Sequence, residues 1–176
     1  MLNIDATIAI NDPTWLQTIK DLHSQAEHVV TKTLTHMYAS LPEIMREANN
    51  EPIGLAVVFT HNKEIQELNH RFRGKNAPTN VLSFPADMDA PQPEEQEIIL
   101  GDVILGYGVV AREAEEQGKP FAHHMIHMVV HGLLHLLGYD HMNDAEAEIM
   151  EQHERAILAS FGIPDPYDVD DSFMSV

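Results

Sequence analysis

The chain contains no cysteine. Disulfides and thiolate metal ligands are therefore excluded, which leaves histidine and carboxylates as the only strong ligands for a metal ion. It also has no apolar run of the roughly 20 residues needed to span a bilayer, and no charged-then-apolar leader opens it. The expectation is a cytoplasmic protein with no membrane association. Basic residues are scarce as well. Ten Lys and Arg face 28 Asp and Glu, for a formal net charge of -18. A surface so negative repels polyanions, which argues against broad, nonspecific nucleic-acid binding.

The distribution of charge softens that exclusion. Lys63, Arg71, Arg73 and Lys75 lie close together, whereas acids crowd residues 87–97 and 140–171. A local basic patch can hold one RNA segment. The plainer reading is that these residues form the solvated face of one helix and its exit loop. With 176 residues, 44% of them hydrophobic, no internal repeat and no dividing linker, residues 1–176 read as a single domain.

Histidine is where the sequence is rich. The segment from about His123 to Leu137 is apolar and free of proline, and reads as helix. Residues four apart share a helical face, so His131 and His135 present two imidazoles to one point. Gly138 follows where helices commonly end in a left-handed residue, and the reversing chain can return His141 to the same point. Three neutral imidazoles suit one zinc ion, with the fourth tetrahedral position left open as in catalytic sites. His124 and His127 extend the same face backwards, either as outer partners of the ligands or as half-buried structural histidines. In zinc proteases a glutamate directly follows the first histidine and serves as base. Here that place is Gly132, so a peptidase reading lacks its base.

The string from His131 to His141, His-Gly-x-Leu-His-Leu-x-Gly-Tyr-Asp-His, resembles the signature of the YbeY family. A second block, Arg73-Gly74-Lys75-Asn76-Ala77-Pro78-Thr79-Asn80-Val81-Leu82-Ser83-Phe84-Pro85, resembles the same family, as does Gly101-Asp102-Val103-Ile104. The likeness runs in matching order over roughly residues 54–167. It implies a zinc-dependent, single-strand-specific endoribonuclease with one Zn2+ per chain, acting in maturation of the 16S ribosomal RNA 3′ end and in ribosome quality control. Its partners would be ribosomal RNA, the small ribosomal subunit and ribosomal proteins. Arg73, mapped from the family's Arg-Gly-Lys motif, is the implied catalytic residue. Its planar, permanently charged fork would grip the scissile phosphate. The alternative for Arg73 is a cation favouring a helix C-terminus.

Lys75 is a further phosphate candidate. Asn80 and Ser83 either line the cleft or make turn and strand-end hydrogen bonds. Asp140 either orients a histidine or is a turn residue. Nothing is clearly placed as a general base. Two rival functions remain: a non-catalytic zinc-containing assembly factor whose acidic surface meets basic ribosomal proteins, and a metal hydrolase of another substrate such as a peptide.

Along the chain, residues 2–10 alternate as a half-buried strand. An apolar stripe from Trp15 to Leu34 predicts one long helix from Pro13 to about Ser40, where Leu41-Pro42 interrupts it. Residues 42–52 predict a short helix or irregular connection. Gly54 to Phe59 predicts a buried central strand, and a helix capped by Thr60 or Asn62 follows it. Strands at about 80–84 and 98–105 flank an acidic exposed loop at 86–97, with a bulge or bend at Gly101-Asp102. Helices are expected at 109–117 and 123–137. A last helix, opened by the capping box Asn143 to Glu146, runs to about Phe161, and a frayed tail spans about 165–176. The fold class is α+β: a four-stranded mixed sheet packed with about five helices, supported by the family likeness.

Overall fold

The computed structural model describes residues 1–47, 51–87 and 98–168. Four strands form one sheet. Period-two alternation makes β1 (Ile4–Ile10) a strand with one face covered. The continuous apolar run makes β2 (Ile53–Thr60), which is buried along most of its length. β3 (Val81–Pro85) and β4 (Ile98–Gly106) complete the order β1-β2-β4-β3. β1, β2 and β4 are mutually parallel, and β3 runs antiparallel to β4. This is the expected mixed sheet. Its central strand lacks alternation because helices cover both faces.

The expected bulge is present. Gly54 pairs with Ile99 and Leu55 with Gly101, so Leu100 is the extra residue. Gly101 sits at φ 133°, and a Cβ there would lie 2.2 Å from the Phe84 carbonyl oxygen. Only glycine lets β3 close on β4 at this point.

Seven helices surround the sheet among the described residues, rather than about five. Part of the difference is that the single long helix predicted from Pro13 does not form. The chain makes α1 (Thr14–Thr18), an extended residue at Ile19, α2 (Leu22–His36) and a 3-10 turn at Tyr38–Ser40. The Trp15 indole donates to the Thr60 carbonyl at 2.9 Å, at the end of β2. Anchored there, the chain must turn before it can run along the sheet, and the break lets Trp15, Ile19 and Leu22 all reach the interior. The apolar spacing reads the same through the break.

The short α3 (Glu43–Glu47) precedes β2, and α4 (Asn62–Arg73) follows it. The cap of α4 is His61, whose Nδ1 accepts from the Glu64 amide at 3.1 Å, not Thr60 or Asn62. The Asn62 side-chain oxygen instead accepts from Val109 at the start of α5 (Tyr107–Glu116), tying two helices together. α6 (Phe121–Leu136) carries the histidines, and α7 (Asp144–Ala159) opens as expected. There the Asn143 side chain accepts from the Glu146 amide at 2.9 Å, and the Glu146 carboxylate accepts from the Met142 amide at 3.2 Å. None of the described helices is long and apolar enough to cross a membrane.

Residues 88–97 of the acidic stretch and 169–176 of the tail lie outside the described residues. The first part of the tail, 165–168, is not frayed: Asp165 pairs with Arg155 of α7 at 2.9 Å.

α6 is the hub. It packs on β3 and β4 and is flanked by α2, α5 and α7, so its apolar side chains are buried on nearly every side. The opposite face of the sheet takes α4, through Ile65 against Leu82 and Ile104. α6 meets the sheet closely at Gly132, where a Cβ would stand 2.5 Å from the Val103 side chain. The Ser83 hydroxyl donates to the Gly132 carbonyl at 3.0 Å in the same place. Gly132→Ala should therefore destabilise the fold by about 1–3 kcal/mol despite alanine's better helix propensity. Thermal unfolding would measure it, and adding Val103→Ala should recover part of the loss, because the two changes share one contact.

Candidate metal centre

The three histidines singled out from the sequence meet at the C-terminal end of α6. His131 and His135 stand one turn apart with ring centroids 4.6 Å apart. Gly138, at φ 94°, then reverses the chain, and the Tyr139 amide donates back to the Leu134 carbonyl at 3.1 Å. The turn returns His141 to 5.6 Å from the His131 ring and 5.3 Å from the His135 ring. One ring nitrogen from each residue lies within 4.8 Å of the others. The Nε2 atoms of His131 and His135 are 3.1 Å apart. Nitrogens bound tetrahedrally at about 2.0–2.1 Å from zinc sit about 3.4 Å from one another, close to the spacing of the His131 and His135 pair, so three imidazoles so gathered suit such an ion.

The fourth side opens on a cleft of about 610 Å³ that also carries Arg73, Lys75, Asn80 and Ser83. Arg73 is the last residue of α4, before the left-handed Gly74. Its Nη2 donates to the Ser83 carbonyl at 3.3 Å, which occupies one of the five N–H donors of the fork. Lys75 is exposed on the same rim. Asn80 and Ser83 are occupied structurally: Asn80 donates to both Glu113 oxygens at 3.1 Å, and Ser83 holds α6 to the sheet. Asp140 takes the turn role, accepting from the His141 amide at 2.8 Å.

The principal residue that sequence reasoning missed is Glu154 of α7. It is fully buried, and its Oε1 lies 2.6 Å from Nδ1 of His131. Its Oε2 lies 2.8 Å from Nε2 of His127 and also accepts from the Tyr167 hydroxyl. Burial pushes the Glu154 pKa up, but hydrogen bonds from His127 and His131 outweigh it and hold the group down to about 2. Glu154 is thus a carboxylate that requires Nδ1 of His131 to carry the proton. Nε2 of His131 is then the lone pair facing the ion position. One signal was available: Glu154 lies on the stripe of Met150, Ile157 and Leu158, where a lone carboxylate must be paired.

His127 is therefore an outer partner, reaching His131 through Glu154. His124 bonds Glu113 at 2.7 Å, and Glu113 in turn holds Asn80 at the cleft. Burial lowers the pKa of His124 against the opposing pull of Glu113. Burial also lowers that of His135, helped by His131 and His141. The neutral imidazole so favoured at His135 is the form that binds metal. Gly132 faces Val103 rather than the cleft, so a protease-type glutamate has no room in this position.

A model of the family described as Endoribonuclease YbeY matches residues 17–162. An Endoribonuclease YbeY of Rhodopseudomonas palustris (strain ATCC BAA-98 / CGA009) is 57% identical over 113 residues, covering 64% of this chain and 60% of that protein. Its counterpart in strain BisB5 is 51% identical over 132 residues, covering 70% of this chain and 66% of that protein. The chain thus spans somewhat less than two thirds of the length of those two relatives. A third, from strain BisB18, is 46% identical over 145 residues and covers 82% of this chain and 83% of that protein. The match takes in Arg73 and all three histidines of the centre, and by it the chain belongs to the YbeY family.

Proposed function

We propose that this protein is a zinc-dependent endoribonuclease that cuts single-stranded RNA in maturation of the 16S ribosomal RNA 3′ end and in ribosome quality control. The observation that carries the reading is the meeting of three imidazole nitrogens within 4.8 Å, on the wall of a cleft that also presents Arg73. The name of those relatives, Endoribonuclease YbeY, supports it.

In this reading His131, His135 and His141 hold one zinc ion per chain. When bound, the ion supplies Lewis-acid polarisation of a phosphate oxygen and a lowered pKa for a coordinated water. The protein's own groups do the rest. Arg73 places its remaining donors on the non-bridging oxygens of the scissile phosphate and offsets charge that builds in the transition state. Lys75, on the same rim, meets a neighbouring phosphate. Glu154 keeps the proton of His131 on Nδ1 and the ring in position. The basic rim concentrates positive charge at the one place where RNA must approach, while the acidic remainder of the surface repels RNA elsewhere and suits basic ribosomal proteins on the small subunit. The net charge of -18 also favours a second reading, a zinc-containing assembly factor that binds the ribosome without turnover.

Purified, zinc-loaded protein should cleave a single-stranded ribosomal RNA fragment, and chelator-stripped protein should not. Arg73→Ala should keep its zinc and lose roughly 10²–10³-fold in kcat/KM, the scale of removing one charge-stabilising donor. Ribosome binding that depends on Arg73 with no cleavage in any sample would instead establish the assembly-factor reading. A separate outcome concerns the carboxylate. Glu154→Gln should weaken zinc binding about 10–100-fold while circular dichroism stays native, measured by competition with a chromophoric chelator.

A further inference from the structure

We propose that Tyr167 is a positioning residue of the metal centre: its hydroxyl, donated to Glu154, locks the carboxylate that orients His131. The C-terminal segment 165–168 then belongs to the metal site. The inference rests on the three-histidine reading of that site and adds to it a residue beyond position 162, where the family match ends.

The geometry is that of a carboxylate held from three sides. Oε1 of Glu154 faces His131, and Oε2 takes both His127 and the Tyr167 hydroxyl. Buried as it is, Glu154 takes its side-chain hydrogen bonds from these three groups, and each fixes one direction of the carboxylate. Without the tyrosine hydroxyl, Oε2 is held by His127 alone, and the side chain gains freedom to swing away from Nδ1 of His131. The direction of swing is available: a hollow of about 340 Å³ lies beside the carboxylate, lined by His131, His141, Glu154 and Tyr167. Tyr167 forms one wall of it and shares that hollow with two of the three ligands.

Tyr167 is itself secured on several sides. Its amide donates to the Asp165 side chain at 2.8 Å. Asp165 pairs with Arg155 at 2.9 Å, and the Arg155 guanidinium lies 5.4 Å from the Tyr167 ring centroid. The His127 ring meets the tyrosine edge-on at 5.7 Å. Arg155 is the residue next to Glu154 on α7, so the clamp on the tyrosine and the carboxylate it holds are built on one helical turn. Such an arrangement transmits the position of the tail to the ligand ring with little slack.

Two effects of the hydroxyl oppose each other. It draws electron density from Glu154, which weakens the carboxylate's pull on the Nδ1 proton and makes His131 a slightly poorer ligand. It also holds the carboxylate in place, which makes His131 a better-oriented one. The second prevails where the group is buried and three-way bonded, because a mis-set outer partner costs about 10–100-fold in affinity. The sign of the mutational effect therefore discriminates between them.

The test compares wild type, Tyr167→Phe and Tyr107→Phe as full-length apoproteins. Tyr107 is the control: its hydroxyl bonds Thr18 at 2.9 Å, away from the centre. Zn2+ is titrated against a chromophoric chelator, Co2+ is titrated with the visible ligand-field bands recorded, and unfolding of each apoprotein is followed by circular dichroism. Tyr167→Phe should raise the Zn2+ Kd about 3- to 10-fold, below the effect of removing Glu154 itself, and shift the Co2+ bands. Tyr107→Phe should do neither. An unchanged or tighter Kd in Tyr167→Phe, with wild type binding one ion, overturns the role of Tyr167 alone. Failure of wild type to bind either ion at the histidines overturns the metal reading together with it.

Discussion

The structure depends on one constraint: α6 is buried on nearly all sides and yet carries imidazoles at 124, 127, 131 and 135. An interior polar group without a partner costs on the order of 1–3 kcal/mol, so the elements packed around α6 must supply acceptors. α5 supplies Glu113 to His124, and α7 supplies Glu154 to His127 and His131. Those assignments do more than pair one nitrogen of each ring. With Nδ1 of His131 occupied by Glu154, its Nε2 is turned toward His135 and the cleft, and a packing requirement becomes a ligand geometry.

The same helix explains why the cleft sits where it does. Gly132 brings α6 within contact of Val103 and Ser83, so the turn carrying His131 and His135 emerges at the end of the sheet beside β3. β3 is an edge strand, and the loop leading into it follows directly from the C-terminus of α4. Arg73 therefore arrives opposite the histidines through two short connections. The αL conformation of Gly74 at the end of α4 and the positive φ of Gly138 after α6 play matching parts, each turning a helix end toward the shared cleft.

Charge is organised locally against the global balance. A chain of net charge -18 confines Arg73 and Lys75 to the rim of the cleft that holds the imidazoles. At physiological salt the Debye length is about 8 Å, so an anionic ligand inside the cleft responds mainly to that rim and to an ion held there, while distant carboxylates are screened. In the proposed function, one confined site makes the nucleic-acid contact that the composition as a whole argues against.

The sequence by itself determined the strands, the bulge glycine, the capping of α7 and the three-histidine set, because each rests on chemistry local in the chain. Alternation, a positive φ, an Asx cap and an i, i+4 pair followed by a helix-stopping glycine all act within a dozen residues. Tertiary structure decided the rest. The break between α1 and α2 follows from the long-range bond of Trp15 to Thr60, which leaves the apolar stripe unchanged. His61 rather than its neighbours caps α4 because the Asn62 side chain is taken up by the start of α5. Glu154 and Tyr167 became part of the centre only when α7 and the tail folded back on α6, 23 residues from His131 in one case and 40 from His127 in the other. A buried carboxylate must be paired, but which partner it finds is set by helix packing, and spacing along the chain does not encode that.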